Sequence, residues 1–270
     1  MVERGTNQWL RPDALRVYAV ASRGDCDISR IVTCVSCRSL KIGCAHMPVQ
    51  AESLRKVPLF ADLSPEDLAQ VAKVTVERSY ARGDIIILAG QEGGALYFVR
   101  EGLVKIFRTS EEGKEQTLRL MDAGHTFNDV PAIDGGPNPA SAMAMAPSVV
   151  YVTSGAELRR LIRERPEIAV ATVHSLSTAL RQLVSLVDDL SFRHVRARVA
   201  KILCERALAD EADDQASHHR LTQQEIAAMA GTAREMVGRA IKELEAAGAI
   251  RSEHGHLVVV SRERLNLLAQ

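Results

Sequence analysis

Between Leu221 and Gly248 the chain specifies two helix starts ten residues apart, and few local architectures satisfy both. Thr222-Gln223-Gln224-Glu225 has the form of a capping box, in which the Thr hydroxyl and the Glu carboxylate each take a backbone amide left open at a helix N-terminus. Gly231 supplies the left-handed residue that ends this helix, and Thr232-Ala233-Arg234-Glu235 reads as a second capping box. Two capped helices joined by a tight glycine turn make a helix-turn-helix. The second helix runs to Ala247-Gly248 and places Val237, Ile241 and Leu244 on one apolar face. Ile250-Arg251 and Leu257 to Val260, on either side of His254-Gly255, complete a wing hairpin. Upstream, Val195, Val199, Ile202 and Leu203 form the buried side of a helix carrying Arg193, Arg196, Arg198 and Lys201, and Ala209 to His219 reads as an acidic loop.

Core packing does not account for Arg234, Glu235 and Arg239, which lie off the apolar face in the first two turns of the second helix. The N-terminal end of such a helix enters the DNA major groove, where Arg pairs bidentately with guanine and Glu accepts from cytosine. Gly238 leaves space for close approach to a base edge or phosphate. Thr222, Gln223 and Thr232, at helix starts, are candidate phosphate contacts. Basic and acidic residues number 34 each, so the binding surface must be a local patch, not a global field. Aromatic residues are only 4% of the chain, which argues against a base-stacking platform for single strands.

The remaining residues divide into three segments. Residues 1–50 lack a steady hydrophobic period. A start signal at Ser64-Pro65-Glu66-Asp67 opens a short helix with Leu68, Val71 and Ala72 on its apolar face. Short strands broken by glycine follow: Ile85–Leu88, Ala95–Val99, Leu103–Phe107, Thr117–Met121 and Val149–Val152. Their roughly ten-residue spacing predicts a sandwich or barrel. After Pro166, Val173, Leu176, Leu180, Leu183, Val187 and Leu190 are spaced 3, 4, 3, 4, 3, as in a two-helix seam. That spacing fits a helix packed on its own domain or a parallel dimer helix.

The segment Thr222-Gln223-Gln224-Glu225-Ile226 through Arg234-Glu235-Met236-Val237-Gly238-Arg239 resembles the DNA-reading motif of the catabolite activator (CRP)/FNR family. Leu96-Tyr97-Phe98-Val99 with Gly102, and Glu111-Glu112-Gly113-Lys114-Glu115, resemble that family's β-roll. The resemblance implies an α+β chain: an arm at 1–50, a cyclic-nucleotide-binding-type β jelly roll at 51–165, a dimerisation helix at 166–192 and a winged helix-turn-helix at 193–270. It further implies a homodimer on palindromic double-stranded DNA with TGTGA-like half-sites, and RNA polymerase as a partner. Gly238 matches the catabolite-activator subgroup, since the FNR subgroup has Ser there.

The family's default ligand is a cyclic nucleotide, held by a Gly-Glu pair and an Arg. Here Asn128 stands for the Gly, Asp129 for the Glu and Asn138 for the Arg, and Leu183-Val184 replace the Thr-Ser pair that meets adenine. Losing that guanidinium forfeits a charge-assisted contact of about 1.5–3 kcal/mol, which argues against cyclic AMP. Four of the five cysteines, Cys26, Cys34, Cys37 and Cys44, fall within nineteen residues, a density that points to metal or redox chemistry. Cys34-Val35-Ser36-Cys37 followed by Cys44 resembles the cluster-ligating segment of FNR-type sensors, which implies a 4Fe-4S cluster. The family's fourth ligand position corresponds to Tyr151, so Cys26 is the substitute donor. Structural zinc, with His46 as a further donor, and unmetallated thiols are the alternatives. His125 or His174 would serve a haem-bound gas sensor, and Cys204 reads as a core residue. The sequence shows no catalytic triad, phosphate loop or glycine fingerprint, nor an apolar run long enough for a membrane span, so a cytoplasmic regulator and not an enzyme is expected.

Overall fold

The computed structural model describes residues 49–212, 221–253 and 256–269. Two 3-10 segments, Ala51–Lys56 and Pro58–Phe60, bury Leu54, Leu59 and Phe60. They lead into α1 (Pro65–Val74), whose N-cap Ser64 accepts from the Asp67 amide at 3.2 Å. Pro at the first helical position and acids in the first turn suit a helix start, as the sequence predicts.

Eight strands follow: β1 (Thr75–Tyr80), β2 (Ile85–Ile87), β3 (Ala95–Glu101), β4 (Val104–Thr109), β5 (Glu115–Met121), β6 (Thr126–Phe127), β7 (Ser141–Ala144) and β8 (Ser148–Ser154). A short helix, α2 (Asp129–Asp134), lies between β6 and β7. They form two four-stranded antiparallel sheets, ordered β1-β8-β3-β6 and β2-β7-β4-β5, which is the expected jelly roll. β3 explains why both sides of a strand can be apolar. Tyr97 and Val99 point between the sheets with Val104, Met121 and Phe127, while Leu96 and Phe98 face outward onto α1 and α3 (Gly155–Glu164). Only a strand covered on both faces reads as a continuous hydrophobic run.

After Pro166 the chain forms α4 (Pro166–Phe192), 27 residues and so about 40 Å long. The C-terminal part comprises α5 (Val195–Ala212), α6 (Gln223–Ala230), α7 (Arg234–Ala246), the hairpin β9 (Ile250–Glu253) and β10 (His256–Val259), and α8 (Arg262–Leu268). Its core gathers Val199, Leu203, Ile226, Val237, Ile241, Leu244 and Leu265. Cys204 is buried in the same core and lies 2.8 Å from Asn266 Oδ1.

Three local expectations are corrected. The loop expected from Ala209 begins later, because α5 continues to Ala212 through a stretch in which Ala209, Glu211 and Ala212 favour helix. β1, β6, β7, α2 and α8 were not anticipated, since each is short or half-exposed and carries little periodic signal. α3 was not anticipated either, although Leu158 and Leu161 on one face behind a Ser154 cap give it a legible pattern. The second capping box does not form. The N-cap of α7 is Ala233, with no side-chain cap, because the Gly231 turn ties the Thr232 amide back to Ala227 O at 3.1 Å. The Ala233 carbonyl takes the first helical amides instead, from Met236 at 3.0 Å and Val237 at 3.2 Å.

Candidate nucleic-acid interface and effector pocket

The first box forms fully. Thr222 Oγ1 accepts from the Glu225 amide at 3.2 Å, and Glu225 Oε2 accepts from the Thr222 amide at 2.7 Å. Gly231, at φ +61, closes the helix in the left-handed region, and a Cβ there would press to 2.6 Å against Leu190. The turn geometry is what favours glycine, since the close atom is the movable end of the Leu190 side chain.

α7 leaves this turn with Val237, Ala240, Ile241 and Leu244 buried, so its opposite edge faces outward. Arg234, Glu235 and Arg239 are exposed on that edge. Arg234 and Glu235 make no hydrogen bond or ion pair among the described residues, and Arg239 touches only Met236 Sδ at 3.9 Å. Long side chains aimed at solvent without partners are free to engage a base edge. Gly238 lies in mid-helix, where Gly costs about 0.5–1 kcal/mol relative to Ala, yet a Cβ there would meet only Gln223 Oε1, at 3.9 Å. Nothing among the described residues requires that glycine. Gln223 and Thr222 are exposed at the start of α6, and Thr232 is half-buried in the turn. Lys242, three residues beyond Arg239 and exposed, is a further cation on this helix; the i, i+3 spacing could have identified it.

In the roll, Asn128 holds the only positive φ of a non-glycine residue among those described, +65, and donates through Nδ2 to Ala95 O at 3.0 Å. Asn is one of the few residues that accepts this conformation, which is why it can stand where the family has Gly. Asp129 follows, 8% exposed, and accepts from Thr126 Oγ1 at 3.2 Å. Burial holds its carboxyl above the usual carboxylate range, with the Thr126 hydroxyl drawing it partly back. Asn138, buried as well, donates to Leu88 O at 3.1 Å, and its Oδ1 has no partner. No residue from Gly135 to Ala140 is cationic. Tyr151 stacks on Phe98 at 6.0 Å between ring centroids, as an apolar core residue.

Along α4, Val173, Leu180, Leu183 and Val187 are exposed, joined by Val170 and Val184, whereas Leu176 is half-buried and Leu190 lies against the Gly231 turn. His174 is exposed on the same helix, and His125 is exposed with its Nδ1 3.2 Å from Asp122 O. A cavity of about 330 Å³ opens between β5, α4 and α5. Arg119 lines it, a charged residue on the inward face of β5 that sequence reasoning passed over. Alternation with Thr117 and Met121 was the available signal. Cys26, Cys34, Cys37, Cys44 and His46 lie outside the described residues. Among the residues described, no group of three or more His, Cys, Asp or Glu is placed to hold a metal, and no helix is long and apolar enough to cross a membrane.

Family models match this chain in two places: a cyclic nucleotide-binding domain at residues 77–165 and a Crp-like helix-turn-helix domain at 197–268. The chain is 31% identical to a CRP-like cAMP-activated global transcriptional regulator of Mycobacterium tuberculosis, over 79% of this chain and 97% of that one. It is 34% identical to the cyclic AMP receptor protein of Thermus thermophilus, over 75% and 92% respectively. In fold it is similar to FixK2 from Bradyrhizobium japonicum, with a TM-score of 0.63 and 22% identity over 73% of this chain and 98% of that one.

Proposed function

We propose, from the premise that the chain belongs to the CRP family of DNA-binding transcription regulators, that it acts as a homodimer on palindromic double-stranded DNA. The observation that carries the base-reading assignment is the edge of α7: Arg234 and Glu235 are exposed and unpartnered while the opposite face is buried. The exposed apolar strip of α4 supports pairing with a second copy, which sets two α7 helices about one DNA turn, about 34 Å, apart. Thr222, Gln223, Thr232 and Gly238 surround the reading edge as phosphate and close-approach positions. RNA polymerase is the partner expected of a family regulator. Arg234→Ala or Arg239→Ala should each cost about 1–3 kcal/mol of affinity for a TGTGA-containing palindrome and relax preference at one base pair. Fluorescence anisotropy on matched and base-substituted duplexes checks this, and equal weakening on random DNA would reduce these residues to phosphate contacts.

The relatives' names mark them as cAMP-responsive, but three features support a different signal in this chain. The 135–140 segment holds no cation, Asn138 is buried and neutral, and Leu183 and Val184 offer no hydrogen bond to a base. Within that segment itself a phosphate would find no counter-charge, and Arg108, a cation that reaches it, is engaged with Pro139 O at 3.1 Å. Millimolar cyclic AMP should therefore leave both the melting temperature and the DNA affinity unchanged. A saturable calorimetric signal with a micromolar constant would reverse this reading. Four cysteines within nineteen residues support the arm as the sensor, with Cys26, Cys34, Cys37 and Cys44 ligating an oxygen- or nitric-oxide-responsive 4Fe-4S cluster.

A further inference from the structure

The cavity between β5, α4 and α5 has an uneven charge economy. Three of its cations are occupied within the protein. Lys201 meets Asp189 and, at 3.0 Å, Ser185 Oγ. Arg206 meets Asp122 at 3.0 Å, and Arg198 donates to the carbonyls of Leu190 at 3.1 Å and Asp189 at 3.5 Å. The acids of the wall are matched in the same way: Asp122 and Asp189 by those cations, and Glu205 by Lys201 at 3.9 Å. Arg119 is the exception. Its guanidinium makes no hydrogen bond or ion pair among the described residues.

Arg119 is also placed with little freedom. It pairs across the sheet with Ile106 and shares the inward face of Met121, both packed in the roll core. Burial lowers its pKa, while the Asp129 charge acts in the opposite sense without an ion pair. A guanidinium keeps its charge at neutral pH in such surroundings. Five donors held charged and half-buried beside a cavity, with no protein acceptor among the described residues, are available to an acceptor that enters it.

We propose that this cavity binds a metabolite-sized molecule carrying an oxyanion, a carboxylate or a phosphate, and that Arg119 is its anchor. The proposal rests on the reading of this chain as an effector-controlled DNA-binding protein. A planar guanidinium grips either kind of oxyanion through two parallel N–H donors. A volume of about 330 Å³ lies at the lower end of the range for ligand pockets, about 300–1,000 Å³, and so suits a small metabolite. A molecule there touches the roll through Thr117 and Arg119, the long helix through Gln182, and the DNA-binding part through Ile202. It would favour whichever arrangement of these parts it contacts better. Its cation lies on β5, and no residue of the 135–140 segment lines the cavity.

The test is thermal melting of the full chain with sodium succinate, sodium phosphate or AMP, each against sodium chloride at equal ionic strength, beside Arg119→Leu. At least one oxyanion should raise the melting temperature saturably, by roughly 3–8 °C. Succinate alone would assign a carboxylate ligand, phosphate or AMP a phosphate. Arg119→Leu should abolish the shift and, without ligand, melt at the same temperature or higher, because a half-buried charge with no protein partner among the described residues has been removed. Absence of any shift, a shift that survives in Arg119→Leu, or a ligand-free variant melting several degrees lower would each overturn the proposal. Anisotropy with a palindromic duplex is measured on the same unmodified protein. Failure there ends the DNA-binding reading, whereas a missing thermal shift with intact duplex binding ends the cavity assignment alone.

Discussion

Leu180→Glu should yield a folded monomer that no longer binds the palindrome with useful affinity. In the single chain Leu180 is 63% exposed, so a carboxylate there stays hydrated and should leave the fold and its melting temperature almost unchanged. In a dimer packed through Val173, Leu180, Leu183 and Val187, the same position is buried twice. Two like charges then lose their water and face each other, a cost of several kcal/mol. This weakens association by roughly a thousandfold or more. DNA affinity falls with it, because one chain engages one half-site and forfeits the high local concentration of its neighbour. Light scattering after gel filtration gives the mass, and anisotropy gives the binding. A persistent dimer would move the interface away from this strip of α4.

The other large effect concerns the arm. Protein prepared without oxygen should be brown and should bleach in air with a change in duplex affinity. Cys26→Ser, Cys34→Ser, Cys37→Ser and Cys44→Ser should each remove the colour, since a cluster held by four thiolates does not survive the loss of one. Cys204→Ser should keep it, because that thiol is buried in the helix-turn-helix core beside Asn266. The arm has little apolar periodicity, so ligand bonds would contribute most of the free energy that orders it. Iron, sulfide and zinc analysis decides the outcome. Colourless protein with one zinc per chain assigns the cysteines to a structural site, and metal-free protein after reconstitution ends the sensor reading.

Much of the fold was legible where local chemistry and tertiary packing agree. Thr222 and Glu225 close the capping box that their spacing predicts, and Gly231 takes the left-handed conformation expected of it. β3 and β8 stood out because both are apolar on two faces. α7 begins one residue later than its capping pattern predicts, and the reason is local to the turn. Thr232 has a suitable side chain for a cap, but its amide is already held by Ala227 O, so the helix begins after Ala233. α8 and β1 escaped notice because each is short and half-exposed, and they are held by the surfaces they meet.

The sequence by itself determined the helix-turn-helix, the residue types along the outer edge of α7 and the neutral 135–140 segment. These depend on residue type at close spacing, and neighbours a few positions apart along a chain remain neighbours in any fold. Only the tertiary structure decided which charges are satisfied. Lys201, Arg206 and Arg119 are equivalent cations on paper. Two find carboxylates in Asp189 and Asp122, brought from distant elements, and Arg119 finds a cavity. A charge's partner is fixed by distance in space, and strand register and helix packing set that distance, so sequence spacing cannot supply it.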